Sequence, residues 1–93
     1  MLNTKCRFET SKASQYLQQL CKHFAHKVEA RFDDREGSVG FARGTAVLIA
    51  EDDVLVITVT AEDQDGLEQT KGIIESHLLR FAFRENVERL NWD

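Results

Sequence analysis

The chain has no proline, and no internal repeat or low-complexity segment supplies a linker. Residues 1–93 are therefore expected to form one domain. No run of eighteen apolar residues exists, so no membrane span is predicted. The start of the chain, with Lys5 and Arg7 followed by polar residues, lacks the apolar centre of a signal peptide, and a cytoplasmic location is expected. Only two cysteines occur, Cys6 and Cys21, without C-x-x-C spacing, which excludes the redox and zinc motifs that spacing marks. In a reducing compartment they act as small buried hydrophobes.

Catalytic signatures are missing too. There is no serine in a nucleophile elbow, no glycine-rich phosphate loop after a strand and no H-E-x-x-H pair. Gly37-Ser38-Val39-Gly40 is too short, and wrongly placed between strands, to be a dinucleotide fingerprint. Catalysis and a bound cofactor are not expected, and the sequence names no metal. The net charge of −4 argues against nucleic-acid partners.

What remains is an ordinary globular composition, 42% hydrophobic and 30% charged. Its charge is uneven. Residues 1–31 hold six basic and two acidic groups, residues 32–68 two basic and ten acidic, and residues 69–93 four of each. The middle block reads as solvated turns and a helix start.

Periodicity supplies the elements. Thr4, Cys6 and Phe8 alternate with Lys5, Arg7 and Glu9, a half-buried strand. Thr10-Ser11 offers an N-cap, and Leu17, Leu20, Cys21, Phe24 and Val28 recur at helical steps, predicting a helix to about His26. Val28, Ala30 and Phe32 alternate as a second strand, and Asp33 to Gly37 forms a turn whose glycine relieves the backbone angle. Residues 38–50 form a strand region broken at Gly40 and Gly44, and Val54 to Ala61 the next strand. Asp65-Gly66-Leu67-Glu68 resembles a capping box for the last helix. There Leu67, Ile74, Leu78, Phe81 and Ala82 share one face, with Gly72, Leu79 and Phe83 on a second strip. Gly72 is expected to permit close helix packing, and Trp92 to fold back onto the body. The order β-α-β-β-β(-β)-α predicts an α+β two-layer sandwich, an antiparallel sheet of about four to five strands with two helices on one face.

The chemistry-bearing residues lie on the helices. His23, His26 and Lys27 sit near the end of the first, and His77, Arg80, Arg84 and Glu85 late in the second. His23 and His77 flank their apolar faces, where two helices on one sheet bring them together. A histidine pair with arginines suits a carboxylate or phosphate; zinc wants three protein ligands or more. The competing reading is structural: a basic helix end at His23, His26 and Lys27, and salt bridges from Arg80 or Arg84 to Glu75, Glu85 or Glu88.

Leu20-Cys21-Lys22-His23-Phe24-Ala25-His26-Lys27, His77-Leu78-Leu79-Arg80-Phe81-Ala82-Phe83-Arg84-Glu85 and Trp92 together resemble a family of small bacterial domains of unknown function. Domains of that kind are associated with siderophore-interacting flavoproteins. The resemblance implies an accessory binding domain for an anionic ligand or partner, linked by analogy to siderophore-iron handling. Its expected partner is an anionic small molecule or a siderophore-reducing flavoprotein, with no nucleic acid and no membrane, and the chain itself a monomer or weak homodimer. The alternative is a homodimerising or docking module without a ligand pocket.

Overall fold

The computed structural model describes residues Met1–Asp93. The chain runs β1 (Leu2–Glu9), α1 (Ala13–Ala25), β2 (Glu29–Phe32), β3 (Glu36–Gly40), β4 (Thr45–Ala50), β5 (Val54–Ala61), α2 (Gln64–Phe81) and a 3-10 turn, Phe83–Glu85. The five strands form one antiparallel sheet in the order β1-β5-β4-β3-β2. Strands β2 to β5 are a meander that returns the chain to β1. Alternation fixes the faces. Cys6, Phe8, Val39, Ala46, Leu48, Leu55, Ile57 and Val59 are buried beneath the helices, whereas Lys5, Arg7, Glu36, Val47 and Ile49 point away from them.

Helix α1 packs mainly over β2 and β3, α2 over β5 and β1, and the helices touch each other. One apolar cluster joins both layers, with Leu17, Leu20, Cys21, Ile74 and Leu78 wholly buried. Cys6, Phe8, Leu17, Leu20, Cys21, Phe24, Leu67, Ile74, Leu78 and Ala82, placed on apolar faces by their spacing, are buried, and Phe81 is half-buried at the cluster's edge. Burial pushes both thiols, Cys6 and Cys21, up to about 11, so neither is a reactive thiolate near neutral pH.

Several local expectations change once packing is seen. Helix α2 is capped two residues earlier than the sequence suggests. The Asp63 carboxylate accepts the Gly66 amide at 2.7 Å, and this bond, with Arg43 beside it, holds its carboxyl below the usual range. Thr10 Oγ1 accepts the Lys12 amide at 3.1 Å, but Lys12 itself is the N-cap of α1. Gly37 is not a turn residue: it lies in β3 with no positive φ. A side chain there would press on Cys21 Sγ at 2.8 Å, so the glycine seats α1 against the sheet. Gly72 has no neighbour within 4 Å of where a side chain would be, so it packs against nothing. Phe83 leaves the helix altogether and is 67% exposed, which removes it from the expected second strip.

The sheet edges are protected differently. β2 is short and carries Glu29 and Arg31, which discourages pairing with another chain. The edge of β1 is covered by the chain's own end. Trp92 bridges Cys6 in antiparallel fashion, the Asp93 amide donates to the Lys5 carbonyl at 2.9 Å, and Trp92 Nε1 donates to Glu75 Oε1 at 3.0 Å. Trp92 thus folds back as expected.

Candidate functional site

The last turn of α1 lies beside the later turns of α2, and the first turn of α1 beside the segment that follows α2, so the two helices run antiparallel and offset along their axes. This places His23 against His77, their ring centroids 4.9 Å apart and planes inclined by 44°. Each ring also meets phenylalanines. His77 lies 5.0 Å from Phe24, and His23 lies 5.4 Å from Phe24 and 6.0 Å from Phe81. Phe41, in the loop between β3 and β4, stacks edge-on against Phe24 at 5.1 Å and backs the group. Nothing in the local pattern of Phe41 signals that role; only hairpin closure brings it there.

The two histidines differ. His77 Nδ1–H donates to the Ile73 carbonyl at 2.7 Å, one helical turn back. That bond fixes the tautomer and leaves Nε2 as the outward acceptor of the neutral ring. His23 is held below the ordinary histidine value by desolvation first, then by the positive or protonatable groups His77, Lys27, His26 and Arg80.

The sign of that shift sets a pH dependence. A histidine with a lowered folded pKa binds fewer protons than in the unfolded chain as pH falls from about 6.5. Its contribution to stability is therefore present at neutral pH and lost as pH falls through the folded pKa. The urea midpoint is expected to be lower at about pH 5 than at about pH 7. His23→Gln should remove part of the slope; an identical slope in the variant would show that His23 does not titrate this way.

The remaining expected site residues divide. Arg80 and Lys27, both exposed, belong to the histidine end together with His26, which lies just past α1 as its C-cap. Arg84 is exposed over the Phe83 ring at 5.6 Å. Glu85 lies toward the other end of α1, where its Oε2 accepts from Tyr16 Oη at 2.5 Å and Thr10 Oγ1 at 2.9 Å. Burial and this carboxylate push the Tyr16 phenol up to about 12. Glu85 thereby fastens the end of α2 to α1 and is not a neighbour of the histidines. Tyr16 was not singled out from the sequence; its place one turn before Leu20, on the buried face of α1, is the signal that could have found it.

The expected structural salt bridges do not form. The ion pairs are Arg7–Glu51, Arg31–Glu29, Arg43–Asp63 and Lys71–Glu68. Glu75 is engaged by Trp92 and Leu90, and Glu85 by Tyr16 and Thr10. Arg80 and Lys27 thus have no carboxylate within 4.0 Å, and the histidine end presents positive and protonatable groups without counter-charge. No third histidine, cysteine or carboxylate joins the pair in a metal-ligating group. A cleft of about 400 Å³ lies elsewhere, beside Arg43, Gly44 and Asp63, and includes neither histidine.

No helix is long and apolar enough to cross a membrane. No curated protein matches the chain. Its fold is similar to the NMR structure of PA4090 from Pseudomonas aeruginosa, with a TM-score of 0.83 and 28% identity, covering 100% of this chain and 96% of that one. A family model described as an uncharacterized protein conserved in bacteria matches residues 5–93, from within the first strand to the bridging C-terminal segment. By that match, the chain belongs to the DUF2218 family of uncharacterized proteins conserved in bacteria.

Proposed function

We propose that the His23–His77 pair, with Arg80 and Lys27, is a binding site for an anionic ligand, and that residues 1–93 act as one cytoplasmic binding domain rather than an enzyme. The observation that carries this reading is the absence of any carboxylate partner for Arg80 and Lys27 beside two touching imidazoles. A carboxylate or phosphate entering there supplies the missing charge. It accepts charge-assisted hydrogen bonds from Arg80 and from protonated imidazole, and it favours the protonated rings. His77 is oriented for this, since its Nδ1–H is already committed to Ile73 and its Nε2 is free. The half-buried rings of Phe41 and Phe81 give the site an apolar wall. Anionic iron chelates fit this chemistry, and an accessory role beside a siderophore-reducing flavoprotein is the process the family resemblance suggests.

For an anion whose own charge is constant over the range, such as sulfate, binding is expected to strengthen on acidification, because the ligand-bound imidazoles hold more protons. Inorganic phosphate titrated at about pH 6 is expected to shift the imidazole signals of His23 and His77 saturably, and sulfate to do so more weakly at about pH 7.5 than at about pH 6. Arg80→Gln should weaken it about tenfold, the loss of one charged hydrogen bond. Histidine shifts with zinc but none with phosphate would replace the anion site by a metal site. Phosphate shifts unaffected by Arg80→Gln would remove Arg80 from it.

A further inference from the structure

Neither helix covers the opposite face of the sheet. Across the strands at one level, its outward residues are Arg7, Val56, Ile49 and Glu36, in β1, β5, β4 and β3 respectively. The next level reads Lys5, Thr58, Val47 and Ser38. The centre is apolar: Val47 and Ile49 are 41% and 43% exposed, whereas Val56 beside them is already 8% exposed, so the two β4 side chains carry most of the accessible apolar surface. Over these two levels the flanks have opposite charge, with Lys5 and Arg7 on β1 and Glu36 on β3; Glu9, one level further along β1, is acidic and lies outside the row.

This row is self-complementary. A two-fold axis lying in the contact plane, parallel to the strands and between β5 and β4, turns it onto itself in reverse. Val56 then faces Ile49 of the second copy, and Arg7 faces Glu36. We propose that this face docks a second copy of the same chain in a two-fold, sheet-on-sheet dimer, with Arg7 and Glu36 setting its register.

The charges are available for it. The side chain of Glu36 has no ion pair, and Arg7 has only an exposed contact to Glu51 at 3.7 Å, which contributes little. Arg31 and Glu29 on the overhanging strand β2 approach each other at 4.0 Å, so they add no net charge. Two twisted sheets stack aligned within about 30°, which keeps both rows in reach. The isologous contact closes at two copies and leaves no open-ended assembly. Its size sets the strength. Strand spacing and rise give a face of roughly 20 by 20 Å, smaller than the about 800 Å² per partner of a standard interface. The dimer is accordingly weak and concentration-dependent. It is independent of the histidine site, which lies on the helix side.

Sedimentation velocity of the full chain from about 10 μM to about 1 mM, the range a small interface requires, tests this. A dimer should appear within that range. Ile49→Lys should weaken it about tenfold or more by putting a charge into the apolar centre. Glu36→Lys should do the same by setting like charge against Arg7 of the second copy. The double variant Arg7→Glu, Glu36→Lys should recover most of the loss, since it rebuilds the pair with its signs exchanged. All three positions are exposed, so the fold should be retained, as circular dichroism would verify. A monomer at every concentration overturns the proposal. So does a dimer indifferent to these changes, or a double variant no stronger than Glu36→Lys alone.

Discussion

Replacing Leu78 by alanine is expected to lower stability by about 2–5 kcal/mol, the range for a fully enclosed leucine. Leu78 has no exposed surface and lies in the cluster that joins α2 to both the sheet and α1. Truncation removes apolar burial and also leaves a cavity, because the sheet beneath and the helix beside it are fixed by their own hydrogen bonds. For a chain of this size each kcal/mol moves the melting temperature by about 4–8 °C, so a fall of at least about 8 °C is expected. Phe83→Ala, at a residue 67% exposed on the 3-10 turn, should change stability by less than about 0.5 kcal/mol. Equal effects at the two sites, measured by thermal and urea denaturation, would contradict the assigned core face.

Gly44→Ala is expected to cost about 1–3 kcal/mol through overpacking. A side chain at this position would overlap the Thr70 hydroxyl and lie 2.9 Å from the Thr60 carbonyl oxygen. Neither neighbour yields readily. Thr70 is completely buried, and its hydroxyl donates to the Gly66 carbonyl at 2.8 Å; Thr60 belongs to the backbone of β5. Gly40→Ala, four residues earlier, meets nothing within 4 Å and should be neutral or slightly stabilising, since alanine restricts the unfolded chain. The difference between the two variants reads the closeness of the hairpin loop to α2. A Gly44→Ala protein as stable as the Gly40→Ala one would show that the loop is free to move away.

Much of the fold was legible because burial on one face writes itself into the spacing of apolar residues. Cys6 and Phe8 alternate on β1, Leu55, Ile57 and Val59 on β5, and Ile74 and Leu78 recur one turn apart on α2. The approach of His23 to His77 was legible too, from their places at the flanks of two apolar stripes. The fates of Arg84 and Glu85 were not. Continuing α2 at helical angles would have kept Arg84 in line with His77, but the chain turns into a 3-10 segment at Phe83, and Glu85 meets Tyr16 and Thr10.

The sequence alone determined the element order, the buried face of each element and the histidine-bearing edge, because these follow from side-chain period along one stretch of chain. Tertiary structure decided which polar groups meet. The capping role of Asp63, the engagement of Glu75 by Trp92 and the close seats at Gly37 and Gly44 are contacts that only the folded chain reveals. So is the histidine end's lack of a carboxylate partner. Each depends on where other elements stop and turn, and local propensity carries no information about a neighbour that arrives from the far side of the sheet.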